Sequence, residues 1–530
     1  MRNFEIILGI LSCGTLVVPL ARRLDVPTAI AQVMAGLVLS AVPFVPRTTF
    51  EPELVFALLV PPLLYRAAVT SSLRDTRRQA WPIAGLAIPL VLLTTLSVGV
   101  AVHLVVPSLP WSAAFVLGAI VGPPDADVTT SIARRLGLPA RLVTILEGET
   151  LLNDATAFMT YRMAVGAVAV GTFSLMQATR SFFTLAVVGV VVGLAIGALI
   201  ARVRRLIGDP IAEGTVSLLT PFASYLTAER LGGSGVLAVV ITGFCVSRFL
   251  PRTVSVAARV RAQLLWENVA FLVGAFVFVL IGLQLGHVMP EFVHGDAWLL
   301  GWLTALVFLT MIATRFVWVF LTAWLGAFGS SVRRPSAAPH GWRSLAVLSW
   351  SGLRGGDSLV MVLSIPLVTQ AGVPFPGRST IEAVGFGIIL VTLVLEGLTL
   401  RPLIRALGFP RDVVVDAEER RGRQAAERAA LARLAGIVER ERLPPSVQAY
   451  VEGVVRQRTR LDLDDIEHAS GHDGRSEADV VRRVGQEVRD AARNAVLQLR
   501  DDEAIGDAAM NRVVADLDLE DLRSAGSVAI

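Results

Sequence analysis

The chain contains no lysine, so each of its 48 basic residues is an arginine. It has two cysteines, Cys13 and Cys245, both inside apolar segments. Two such thiols do not make a disulfide framework, and they read as buried and inert. Charged residues are also scarce, at 17% against about 25% in soluble proteins. No Walker A sequence is present, so nothing points to ATP-driven work. No HExxH or GxSxG occurs, which removes the usual signatures of metal and serine hydrolases. His468 and His472 stand four apart, but Gly471 lies between them in a predicted loop, so they read as solvated rather than as a metal pair.

What the chain has instead is apolar sequence. Hydrophobic residues make up 54% of its 530 positions, and the mean hydropathy is +0.63. It reads as an all-α polytopic membrane protein. A span needs about 20 apolar residues, and stretches of that kind fall near 4–21, 27–46, 51–69, 80–106, 111–133, 141–168, 181–202, 211–229, 234–250, 264–288, 297–325, 343–369 and 382–408. The first lacks a cleavage site and is followed by Arg22-Arg23, so it counts as a span and not as a signal peptide.

Charge tests this reading. Alternate loops hold the arginine clusters, among them Arg22 and Arg23, Arg74, Arg77 and Arg78, Arg134 and Arg135, Arg202 and Arg204, and Arg333 and Arg334; the other loops hold little beyond Arg47, Arg180, Arg230 and Arg378. Positive loops stay in the cytoplasm. About thirteen spans follow, with the N-terminus outside and the tail from 411 to 530 in the cytoplasm of a cell whose inner (plasma) membrane holds the protein. Because the arginines sit at span ends, they have a topological reason and imply no nucleic-acid partner; the partner is the lipid bilayer. The tail is charged and patterned for amphipathic helices, with loops at Leu443-Pro444-Pro445 and at 470–474.

The informative stretch is 120–162, IVGPPDADVTTSIARRLGLPARLVTILEGETLLNDATAFMTYR. It places Asp125, Asp127, Glu149, Asn153 and Asp154 within or beside apolar sequence. A carboxylate at mid-bilayer depth costs roughly 2.5–3.5 kcal/mol, so such residues mark ion or proton paths. Glu147 reads as a helix-end residue in water. The fifth span is broken by Gly122-Pro123-Pro124. The twelfth, fifth of a second set counted from the eighth, is broken by SGLRGGDS with Gly352, Gly355 and Gly356. Matching breaks point to two inverted repeats, about 1–168 and 211–408, joined by a linker helix at 181–202, within a transmembrane domain of 1–410.

Broken helices leave partial charges at their ends. Asp125 suits the N-terminal ends and Arg354 the C-terminal ends; Asp357 either pairs with Arg354 or lines the path. Glu149 and Asn153 are four apart and share a helix face. Arg315 lies in mid-span in LTMIATRFVWVFL, where its permanent charge needs a carboxylate, and Glu149 fits that need. Asp154 is then the titrating group. A carboxyl removed from water takes up a proton more readily, and a monovalent cation needs the same oxygens ionised, so the two compete. Asn153 adds no second proton. Exchange of one cation for one proton, without net charge movement, is the expectation.

EGETLLNDA at 147–155, GPPDAD at 122–127, WENVAFLVGAFVFVLIGLQL at 266–285, Arg315 and SGLRGGDSL at 351–359 together resemble bacterial sodium/proton antiporters of the monovalent cation:proton antiporter-1 family. The resemblance covers roughly 1–410. It implies a homodimer of thirteen-helix protomers, elevator-type alternating access, no cofactor, no enzymatic activity, and a role in pH and sodium homeostasis. By the same resemblance Asp154 carries cation and proton beside Asn153, Glu149 is bridged to Arg315, and Asp125 and Arg354 belong to the crossover. Where many members have Thr-Asp-Pro this chain has Pro124-Asp125-Ala126, so Thr129 or Thr150 is the replacement oxygen donor. Asp127, Asp357 and Glu396 are further departures. The substrates expected are Na⁺, with Li⁺ or K⁺ open, and H⁺. A K⁺/H⁺ or broad cation/H⁺ exchanger is the alternative, with a cation channel or sensor and a membrane hydrolase behind it.

Overall fold

The computed structural model describes residues 2–24, 26–42, 52–125, 127–170, 175–204, 206–207, 209–253, 256–294, 297–329, 341–369, 372–409, 413–443, 445–457 and 474–524. His468 and His472 lie outside these residues, as do Arg47, Arg205, Arg333 and Arg334, the loop at 470–473, and the side chain of Asp127. Among the described residues the protein is all-α, with one isolated β-bridge between Val368 and Pro374.

Proline and small polar residues punctuate the helices. α1 (Arg2–Leu16) and α2 (Val18–Arg23) meet at Val17, ahead of Pro19; α3 is Thr28–Ser40, behind Pro27. α4 (Pro52–Thr70) carries Pro61 and Pro62 inside it. α5 (Leu73–Arg78) is capped by Ser72, whose hydroxyl accepts from the Asp75 N–H at 3.0 Å. α6 (Ala80–Ala87) gives way to α7 (Pro89–Val105) at Pro89, where no backbone N–H is available to continue the ladder. α8 (Trp111–Val121) and α9 (Asp127–Arg135) are separated by the Gly-Pro-Pro run; α10 (Ala140–Val170) and α11 (Leu175–Val203) follow. α12 (Pro210–Arg230) is capped by Asp209 through the Ala212 N–H at 2.7 Å. Then come α13 (Gly235–Thr253), α14 (Val256–His294) and α15 (Ala297–Gly329). α16 (Gly341–Trp350) and α17 (Gly356–Leu363) flank the second break. α18 (Arg378–Val391) runs through a π-turn, Thr392–Glu396, into α19 (Gly397–Leu407).

The chain divides into two compact units, one of residues 1–254 and 262–410, the other of 255–261 and 411–530. In the first unit, apolar side chains lie on both sides of the helices. Phe183, Val187, Val191 and Leu194 form an exposed stripe on α11, and Trp298, Trp302 and Trp324 stand exposed near the two ends of α15. Water would penalise such surfaces; lipid does not, and tryptophan favours the membrane boundary. Among the described residues six helical segments are long and apolar enough to cross a membrane, including Ala80–Val105, Thr179–Val203, Ala297–Leu325 and Arg378–Leu407. Between helices, small residues permit close approach. Gly36 on α3 faces the Val279 carbonyl, and Gly282 on α14 faces the Val33 carbonyl; a Cβ on either would strike backbone.

The second unit has a core of its own. α20 (Val413–Glu441) buries Ala426, Ala430, Leu434 and Ile437 at helical spacing. α21 (Pro445–Gln457) adds Val451, α22 (Gly474–Asp501) adds Val484, Val488 and Val496, and α23 (Asp507–Ser524) adds Met510 and Val513. Its surface is tied by ion pairs, among them Glu441 with Arg483 at 2.7 Å and with Arg440 at 2.8 Å.

Candidate functional site: the crossing of two interrupted helices

The two breaks meet. The Asp125 N–H donates to the Leu353 carbonyl at 2.7 Å, joining the 122–125 segment to the 351–355 segment. Each break exposes helix ends whose backbone groups need partners. At the C-terminus of α8, Ser358 Oγ donates to the Ile120 carbonyl at 2.8 Å; Arg354 Nε donates to the Val121 carbonyl at 2.6 Å and Nη2 to the Gly122 carbonyl at 3.2 Å. Arg354 Nη1 also donates to the Gly352 carbonyl, just past the C-terminus of α16. The guanidinium therefore lies where two helix dipoles concentrate negative charge. The opposite charge sits at the N-terminus of α17, where the Gly356 N–H donates to Asp125 Oδ2 at 3.3 Å. Gly355 makes this approach possible, because a Cβ there would fall on the Asp125 carboxylate.

α10 passes the crossing. It carries Glu149, Asn153 and Asp154, each no more than 1% exposed. Asn153 Nδ2 donates to the Pro124 carbonyl at 3.0 Å, inside the first break. Among the described residues, Asn153 Oδ1 and Thr129 Oγ1 are buried and hold no hydrogen bond. Two protein oxygens are thus held away from water with lone pairs unspent, on α10 and on the first turn of α9. Thr150 is half-buried, and its hydroxyl donates back to the Leu146 carbonyl at 3.1 Å within its own helix.

Glu149 faces the other way. Its carboxylate receives Arg315 Nη1 at 2.5 Å and Nη2 at 2.9 Å, a fork-to-fork pair between α10 and α15, with the arginine 3% exposed. Arg315 Nε completes its set on the Leu348 carbonyl of α16 at 2.9 Å. Three helices are thereby fastened by one buried charge pair. Asp357 is half-buried in the first turn of α17. Glu147 belongs to the surface: Arg134 Nε reaches its Oε1 at 3.0 Å, and the arginine side chain is mostly exposed.

Glu396, Thr392 and Ser358 also belong to this crossing; sequence reasoning marked Glu396 as a departure without a role and did not name Thr392 or Ser358. Glu396 Oε2 accepts from the Gly352 N–H at 2.9 Å, and Thr392 Oγ1 accepts from the Arg354 N–H at 3.1 Å. The signal was present: a threonine and a glutamate four apart in the apolar run LVTLVLEGL share a helix face, and a polar pair in such a run needs polar neighbours. Among the described residues no group of three or more His, Cys, Asp or Glu is disposed to hold a metal ion as a resident cofactor.

Two interrupted helices crossing beside a buried Asn-Asp pair, in a unit with lipid-compatible surfaces, define a multi-pass membrane transporter rather than an enzyme. The comparisons with known proteins agree. Residues 8–406 match the model of the family described as sodium/hydrogen exchanger, transmembrane, and the chain belongs to that family. An uncharacterised Na(+)/H(+) exchanger of Mycobacterium tuberculosis is 31% identical over 510 residues, covering 95% of this chain and 93% of the relative. The sodium, potassium, lithium and rubidium/H(+) antiporter of Bacillus pumilus is 32% identical over 393 residues, 72% of this chain and 58% of that protein. In fold, the chain is similar to the sodium proton antiporter MjNhaP1 from Methanocaldococcus jannaschii, with a TM-score of 0.61 at 20% identity over 77% of this chain and all of that one.

Proposed function

We propose that the protein exchanges a monovalent cation for a proton, one for one and without net charge movement, at Asp154. The observation that carries this reading is the environment of the Asn153-Asp154 pair. The pair is buried on α10, tied to the first break through Pro124, and accompanied by the unspent oxygens of Asn153 and Thr129. A weakly solvated monovalent cation needs several neutral oxygens and one negative charge. In the proposed site Asp154 supplies the charge, while Asn153 Oδ1, Thr129 Oγ1 and the backbone of the first break supply neutral oxygens, with Thr150 at the margin.

A proton on Asp154 cancels the charge and expels the cation. An ionised, empty Asp154 is too costly to move through an apolar barrier, so only the loaded or protonated site crosses. Asn153 does not titrate, and Glu149 is held by Arg315; each cycle then counts one proton. Asp125 and Arg354 keep the crossing neutral, and Asp357 belongs to that charge set. Na⁺ is the substrate we favour, with Li⁺ and K⁺ admitted by the same oxygens; the name of the Bacillus pumilus relative supports that breadth.

The architecture we assign is thirteen spans in two inverted repeats, about 1–168 and 211–408, around a linker helix at 181–202. The broken α8–α9 and α16–α17 are the fifth and twelfth spans. Access alternates by elevator-type movement within a homodimer in the plasma membrane. The N-terminus lies outside and residues 411–530 in the cytoplasm, as the arginine distribution requires. The physiological role is pH and sodium homeostasis. The test is proton flux in proteoliposomes, read by a trapped pH dye on adding Na⁺, K⁺ or Li⁺ while the membrane potential is set independently. Cation-driven flux insensitive to potential is expected; flux that tracks the potential refutes the stoichiometry, and proton flux that no cation drives refutes exchange.

A further inference from the structure

Glu396 is a buried carboxyl at the crossing that this cycle does not use. It is fully buried at the end of the π-turn, with Oε2 on the Gly352 N–H. Among the described residues its other oxygen, Oε1, is buried without a hydrogen bond, and so are the hydroxyls of Ser349 and Ser351 beside the second break. The π-turn holds that break at two points, since Thr392 accepts from the Arg354 N–H four residues before Glu396 accepts from Gly352. π-turns are rare and concentrate where a helix must present side chains out of regular phase.

The charges that face Glu396 come from two elements. Arg354 lies in the second break and Arg315 on α15, and the side chains of Arg315, Arg354 and Glu396 converge within 3.4–3.6 Å of the Cβ that Gly352 lacks. Glu149 and Asp125 act on the same cluster through the two arginines. Arg315 is neutralised by Glu149. Arg354 is held by carbonyls and has ionised Glu396 as the carboxylate on the α18–α19 side. With Glu396 ionised the two arginines face three carboxylates, Glu149, Glu396 and Asp125. A proton on Glu396 removes one of these negative charges and makes the cluster one unit more positive, in a region where charge is poorly screened.

We propose that Glu396 is a second proton-binding site, one that regulates exchange and is not carried across the membrane. It deepens the exchanger reading and rests on it. Protonation adds no hydrogen-bond cost at Gly352, since a neutral carboxyl still accepts there. It does make the cluster beside the crossing that the cation must approach one unit more positive. A unit charge about 10 Å away through an effective dielectric of about 20 changes a cation's binding constant on the order of ten-fold. Acid conditions then act twice, by competition at Asp154 and by the more positive potential of the cluster around Arg354.

Glu396→Gln fixes the neutral form and keeps an acceptor for Gly352. In proteoliposomes its half-saturating Na⁺ concentration at alkaline pH rises on the order of ten-fold. On the acid side that concentration follows pH with the slope of a single proton, where the parent is steeper. Thr392→Val removes the neighbouring hydrogen bond without removing a titrating group, and keeps the parent's slope. A Glu396→Gln protein with the parent's slope and half-saturation overturns the inference, and so does a Thr392→Val protein that loses the steeper slope. Should Glu396→Gln not fold, Glu396→Asp retains a carboxyl at an altered distance: a displaced acid midpoint supports the inference, an unmoved one overturns it. Failure of the exchanger reading is separate, because it appears as absent cation-driven flux in the parent.

Discussion

Arg315→Gln deletes one half of the Glu149–Arg315 pair and leaves its carboxylate in the protein interior. The pair is almost fully buried, doubly bonded at 2.5 and 2.9 Å, and extended by the bond from Arg315 to the Leu348 carbonyl. Breaking a buried pair from one side costs about 3–5 kcal/mol, most of it the uncompensated charge. At about 2 cal/mol/K of unfolding entropy per residue, the unit of about 400 residues that contains the pair loses roughly 4–6 °C in its thermal midpoint. Removing both charges has a different result. A Glu149→Gln, Arg315→Gln double variant leaves two amides of similar volume that hydrogen-bond to each other and to Leu348, so most of the lost midpoint returns. The measurement is a thermal scan of purified parent, both single variants and the double variant in one detergent. The reasoning fails if the double variant melts no higher than Arg315→Gln, because that outcome removes the coupling between the two charges.

Other consequences are as direct. Asp154→Asn keeps the melting profile and abolishes cation-driven proton flux, since no titrating group remains on that face; residual exchange would move the site elsewhere. Asn153→Asp adds a second carboxyl next to the first, and the resulting flux tracks membrane potential in vesicles; potential-independent flux would count against the role given to Asn153. Gly355→Ala puts a methyl against Asp125, costs about 1–3 kcal/mol as an overpacked contact, and slows exchange in the same vesicle assay. In the tail, hydrogen bonds from Arg483 and Arg440 hold the Glu441 carboxyl down to about 2. Its folded-state value lies below its unfolded one, so its contribution is complete above the ordinary glutamate range and fades as pH falls through about 2. Glu441→Gln removes that part of the acid dependence, which a titration followed by circular dichroism reads.

The positions of the breaks were legible because their causes are local. Pro123 and Pro124 cannot continue a ladder, and α8 ends at Val121. The glycines at 352, 355 and 356 interrupt an apolar run in the same way, and the helix stops at Trp350. The need for partners was legible too, since a guanidinium in LTMIATRFVWVFL is untenable alone. Apolar composition, scarce charge and the uneven arginine loops were enough to exclude a soluble protein.

Glu149 was offered for Arg315, and the C-terminal helix ends for Arg354, but the particular backbone groups that complete each charge were not legible. The Leu348 carbonyl on Arg315 and the Val121 carbonyl on Arg354 lie 33 and 233 positions away from them. Helical periodicity assigns a residue to a face but leaves the rotation of that face toward its neighbour undetermined. The π-turn shows the limit most clearly. Nothing in TLVLE forces a wider turn; packing against the second break selects it, and so brings Thr392 and Glu396 onto backbone groups some 40 positions away. Sequence alone determined that this chain lives in a bilayer and carries charges it must compensate there. Tertiary packing decided how, because an unpaired charge in low dielectric is satisfied only by groups that the whole fold, and no local stretch, can bring within a few ångströms.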